Sequence, residues 1–144
     1  MLIAIMIGVI IVSVQFGYNK YFFTFNDKDG ELYKEPVPSP NDTYSASAYY
    51  MPYGGAAGGV KIWVEITDPN EEDIEKTVYY AEANGNFSME WKDEHTLSIV
   101  NQEPAYPSED RSVELNVEKE IYHDRGLACD SWIMKSEYDT CLKK

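Results

Sequence analysis

The sequence predicts a mainly β protein: a small antiparallel sheet or meander, sandwich-like or a partly open barrel, placed after an N-terminal transmembrane helix. Three observations predict it. The first eighteen residues carry no charged side chain, and all 25 acidic and 12 basic residues follow them. Short runs with period-two or β-rich character recur between residues 44 and 117. Turn formers separate those runs at roughly ten-residue spacing, the rhythm of a meander.

The opening segment, MLIAIMIGVIIVSVQFGY, has only Ser13 and Gln15 as polar side chains before Tyr18. About 20 mainly apolar residues cross roughly 30 Å of hydrocarbon, and residues 1–23 reach that length. Tyr18, Tyr21, Phe22 and Phe23 form an interfacial aromatic belt, with Lys20 able to snorkel. A cleaved signal peptide would need a basic start and a small-x-small site. No Lys or Arg precedes residue 20, and VSVQFG is a poor site. A buried core segment is the third reading, hard to reconcile with so small and acidic a domain. A single-pass anchor in the cell membrane is the expectation.

Residues 24–43, TFNDKDGELYKEPVPSPNDT, hold prolines at 36, 38 and 40 and read as a stalk or linker. The β domain is expected over 44–118. Its runs are YSASAYY (44–50), VKIWVEI (60–66), KTVYYAE (76–82), FSMEW (87–91), HTLSIV (95–100) and SVELNV (112–117). In the second, Val60, Ile62, Val64 and Ile66 alternate with Lys61, Trp63 and Glu65, as in a strand with one buried face. DPNEED (68–73) and KDEH (92–95) are charged links, and Asn84-Gly85 is a short-range hairpin signal. The tail, 119–144, has no clean period and is expected to pack on the sheet.

Several patterns bear on chemistry. YYMPYGGAAGGVKIW (49–63) contains two glycine pairs. A phosphate-binding loop needs G-x-x-x-x-G-K-[ST]. Here the spacing differs, and Lys61 lies in a strand with no Ser or Thr after it. Glycine at positive φ in a hairpin explains the pairs. The loop remains a ligand- or partner-binding candidate through Tyr49, Tyr50, Tyr53, Gly54, Gly55, Gly58 and Gly59, because small residues admit close approach. The twelve tyrosines fit either an aromatic face for glycan or protein or ordinary cross-strand packing. NDKDGE (26–31) fails as an EF-hand, since Phe25 and Pro36 fall where acidic ligands belong. DPNEED reads as a solvated turn. His95 and His123 stand in no catalytic motif, and surface positions are expected for both. NDT (41–43) and NFS (86–88) match the glycosylation sequon. No catalytic residue, metal or cofactor is expected.

The net charge of −13 opposes binding to nucleic acid and suits a cationic partner or plain solubility. Orientation is weakly encoded. Lys20 argues against an outside domain, whereas the even pair Cys129 and Cys141 suggests one disulfide in an extracytoplasmic domain. Two reduced thiols are the other reading of that pair.

YFFTFND after the apolar helix, then SPNDTYSASAYY, GGAAGGVKIWVEI, VYY and MEWKDEHTLSIVN, in that order, resemble a family of small membrane-anchored proteins of Gram-positive bacteria known as domain of unknown function 5412. The resemblance covers roughly residues 18–118, and the tail with both cysteines departs from it. It implies an anchor and a compact β domain, and no activity. The functional expectation is a binding or structural module of the bacterial cell envelope, with a membrane partner through the helix and an envelope protein or glycan partner. An acidic immunity or inhibitor protein masking a basic partner is the alternative, and a hydrolytic enzyme the less favoured third.

Overall fold

A computed structural model describes residues 1–26, 29–70 and 75–144. Among the described residues one helix, α1 (Leu2–Tyr21), is long and apolar enough to cross a membrane, and it has no buried residue. Lys20 in the last turn suits the negative end of the helix dipole.

Two sheets follow. The larger combines β1 (Glu31–Leu32), β2 (Val37–Pro38), β3 (Ser45–Tyr53), β4 (Gly59–Thr67), β5 (Glu75–Glu82), β9 (Glu120–His123) and β10 (Thr140–Leu142). Its order is β1-β3-β4-β5-β9-β10, and β2 pairs with β3 beside β1. The smaller is the antiparallel meander β6 (Asn86–Trp91), β7 (Thr96–Gln102), β8 (Val113–Asn116). The sheets face each other as an open sandwich and do not close into a barrel.

The core between them follows the alternation in the sequence. Ile62, Val64 and Ile66 of β4 meet Leu97 and Ile99 of β7 and Leu115 of β8. Each such side chain contributes about 1.5–3 kcal/mol when fully buried. A bulge between Val64 and Glu65 lets Val78 and Tyr79 of β5 both enter this core.

The expected mainly β fold is present, and three finer expectations need correction. Within that fold the small sheet is antiparallel and the large one is mixed, since β9 pairs in parallel with both β5 and β10. Parallel pairing needs a long connection, which is the whole of β6–β8 between β5 and β9 and residues 124–139 between β9 and β10.

The described residues of 24–43 pair with the sheet rather than standing free as a stalk. β1 and β2 add to the edge of β3, Tyr33 sits edge-on to Phe87 at 5.4 Å, and Trp91 Nε1–H donates to the Val37 carbonyl at 2.9 Å. The prolines make a folded turn because Ser39 Oγ accepts the Tyr44 N–H and donates to Asn41 Oδ1, both at 3.0 Å.

Asn84-Gly85 turns no hairpin. β5 and β6 lie in different sheets, and Gly85 lacks the positive φ of a type I′ turn. Asn84 instead binds Asn101 through two hydrogen bonds, of 2.7 and 3.0 Å, and the Glu109 carbonyl at 2.6 Å. Asn101, fully buried, also donates to Tyr79 Oη and the Glu82 carbonyl, so this cluster fixes the crossing between sheets. Finally, His123 is 1% exposed, not a surface residue.

Candidate functional site

The glycine pairs form the tip of the β3–β4 hairpin. Gly54 and Gly55 have φ of 75° and 61°, the left-handed region that glycine enters without strain. At Gly58 a Cβ would fall onto the Tyr53 carbonyl, so no larger residue fits the bend. Tyr53 Oη donates to Glu82 Oε1 at 2.6 Å, and Arg125 Nη2 donates to the same oxygen at 2.9 Å.

The three tyrosines named with this tip do not share a surface. Tyr49 and Tyr53, four residues apart on a strand, lie on one face, and Tyr50 lies on the other. Tyr50 donates to Glu31 Oε2 at 2.7 Å. The exposed tip is therefore glycine and alanine alone, with the tyrosines engaged at its base.

The outer face of the large sheet holds what sequence patterning missed. Tyr49, Trp63, Tyr80 and His123 are direct cross-strand neighbours on β3, β4, β5 and β9. Their rings stack in a row, with centroids 5.9, 6.3 and 5.1 Å apart. Alternation would send these residues to solvent, yet Trp63 is 2% exposed. The chain leaving α1 covers them. Phe23 packs edge-on to His123 at 5.1 Å, and Phe25 lies 5.8 Å from Tyr80. Gly30 passes so close over the Trp63 ring that a Cβ there would overlap it.

Burial pushes the His123 imidazole down to about 4, against the neighbouring Asp124 carboxylate, which favours the charged form. The ring is therefore neutral. Nδ1 accepts the Arg125 N–H at 3.1 Å, which leaves the proton on Nε2, and Nε2 has no hydrogen-bond partner among the described residues. Phe23 and Leu127 close the 70 Å³ cavity beside it. His123 is a packing residue of the aromatic row.

Between Phe25 and the row lies a cavity of about 160 Å³, lined by Phe25, Asn26, Trp63, Glu65, Glu75, Thr77 and Tyr80. Glu65 accepts the Trp63 Nε1–H at 3.0 Å. Burial, then the charge of Glu75, holds its carboxyl above the usual range. Two carboxylates on an aromatic floor favour a cationic group. Among the described residues no three His, Cys, Asp or Glu side chains converge to hold a metal ion. The loop 26–31 and the turn 68–73 extend outside the described residues.

A third feature joins the two chain ends. The helix α2 (Leu127–Asp130) and the tail are closed by a Cys129–Cys141 disulfide, with Cα atoms 5.3 Å apart. Ile121, Ala128 and Met134 form a small second core with Phe23, Phe25 and Tyr138. Ser131 Oγ donates to the Phe23 carbonyl at 2.7 Å, and the Trp132 N–H donates to the Tyr21 carbonyl at 2.8 Å.

The order of these parts, an apolar helix running directly into a β domain, is matched over residues 1–126 by the model of a family of unknown function (DUF5412). The chain belongs to that family. The match takes in α1 and every strand through β9, a wider span than the motifs between 18 and 118 suggest. The DUF5412 match stops at Gly126, so α2, the disulfide and Trp132 lie beyond it. No curated protein and no solved structure matches this DUF5412 chain.

Proposed function

We propose that this protein is a single-pass, membrane-anchored binding module of the bacterial cell envelope, with its β domain on the extracytoplasmic side. One observation carries the reading: the Cys129–Cys141 disulfide is built against the C-terminal end of α1, through Ser131 and Trp132. A disulfide persists in an oxidising compartment. A domain that packs it onto the end of a membrane-length helix belongs on the oxidising side. The test is thiol labelling of intact cells with a membrane-impermeant maleimide, with and without an impermeant reductant. Labelling of Cys129 and Cys141 in intact cells after reduction is the expected result. Labelling only after lysis overturns the sidedness.

The cavity beside Glu65 and Glu75 favours a second, narrower reading, in which the partner is basic and the domain masks or holds it. A lysine or arginine side chain would lie against Trp63 and Tyr80 with the two carboxylates around it. Oligolysine binding to the full chain in detergent, measured by calorimetry, tests this. Glu65→Gln with Glu75→Gln should weaken it at least tenfold, about 1.4 kcal/mol. Unchanged binding removes the cavity from the reading.

A further inference from the structure

We infer that Trp132 and Ile133, on the disulfide-closed tail, form a second contact with the membrane at the interfacial level of the lipid bilayer that α1 enters. The inference rests on the reading of α1 as a membrane span. Both side chains are large, apolar and open, Trp132 at 61% and Ile133 at 46% exposure. They differ from every other large apolar side chain of the tail, which packs inward.

Their depth is dictated by their attachment. Twenty helical residues rise about 30 Å, the thickness of the hydrocarbon core, so the last turn of α1 emerges at the interface. Trp132 is fastened to that turn. Its N–H caps the Tyr21 carbonyl, one of the carbonyls a helix end leaves unsatisfied. Its ring lies 5.1 Å from that of Tyr21 and 5.8 Å from that of Phe22, which in turn stacks on Tyr18 at 4.9 Å. Lys20 pairs with Asp130 at 3.5 Å across the same junction. An indole held against the aromatic belt of a spanning helix sits at the belt's own level, where tryptophan is favoured. The segment is also held stiffly, with Cys129 bonded to Cys141 and Tyr138 Oη donating to the Ala128 carbonyl at 3.1 Å.

The charge of this segment agrees. Residues 119–144 carry five basic and five acidic side chains, so the whole −13 resides in the residues before them. A neutral face approaches an anionic bilayer without the repulsion the rest of the domain would meet. Two points of attachment, a helix and a rigid apolar wedge beside it, fix the tilt of the β domain on the membrane, which a single helix and a free stalk do not.

The full chain, reconstituted in phosphatidylcholine vesicles whose acyl chains are brominated near the headgroup, tests the inference by tryptophan fluorescence. Trp63 is buried and Trp91 is half-buried, with its Nε1–H on the Val37 carbonyl; both remain in a Trp132→Phe variant, so the difference between wild type and variant isolates Trp132. The wild type is expected to lose emission to the brominated lipid that the variant does not lose, and aqueous iodide should quench little of it. Equal bromolipid quenching of wild type and Trp132→Phe overturns the inference, whether iodide reaches Trp132 or a protein partner shields it. A Val9→Trp variant keeps the two readings apart. Quenching of Trp132→Phe/Val9→Trp by deep-brominated lipid with no Trp132 signal sinks only this inference. No quenching at position 9 sinks the anchor and the inference with it.

Discussion

The two faces of the large sheet are buried by different means. The inner face is covered by the small sheet, through aliphatic side chains such as Ile62, Val64, Leu97 and Ile99 that alternate with polar neighbours. The outer face is covered by chain from the two ends, with Phe23, Phe25 and Gly30 laid over Tyr49, Trp63, Tyr80 and His123. The first is a core between regular elements. The second is a core made by irregular segments, and it joins α1 to the domain. The difference teaches that in this chain the linker is an integral layer of the fold.

The largest effects test whether the outer face is a core of equal rank. Leu97→Ala should cost about 2–5 kcal/mol and Trp63→Ala about 3–5 kcal/mol in urea unfolding of the full chain in detergent micelles. A Trp63→Ala cost under about 1 kcal/mol would reduce the outer face to a surface.

Acid should separate the faces next. His123 is neutral in the fold with its ionisation at about 4, against 6.5 unfolded. Between those values the unfolded chain binds more protons, so stability is full above about pH 6.5 and falls as the pH drops towards 4. The loss attributable to His123 is on the order of 3 kcal/mol. His123→Phe should flatten that part of the stability–pH curve, and an unchanged slope would place the loss on other groups.

Gly30→Ala adds one methyl group against Trp63 and should cost about 1–3 kcal/mol, as overpacking does. A shift in tryptophan emission should accompany it. The smallest effect belongs to the hairpin tip, where Gly54→Ala strains a left-handed residue by about 1–2 kcal/mol. It should leave the tryptophan emission unmoved, because the tip touches neither core.

Much of the fold was legible along the chain. All six expected runs between 44 and 117 are strands, within a few residues at each end, because period-two alternation is a local signal of one buried face. β1 and β2, two residues each, are too short to carry a period. β9 was lost in the tail because its partners are β5 and β10, and parallel pairing leaves no turn signature. Alternation points Trp63 away from the buried face of its strand and does not say whether the second face is covered, and His123 stands in a polar stretch with no local sign of burial. At the candidate site, the glycine bend was readable from backbone needs alone. The cavity between Phe25, Glu65 and Glu75 was not, since it brings together residues forty to fifty positions apart.

The sequence by itself determined the membrane-length helix, the strands of the sandwich, the glycine bend and the presence of two cysteines, all of which follow from composition and local period. The tertiary structure alone decided that the cysteines meet, that the linker and tail bury the aromatic row, and that Trp132 rests against the end of α1. Those outcomes depend on which distant segments come to lie over a given face. No local period encodes that, because the free energy is released only when the chain closes.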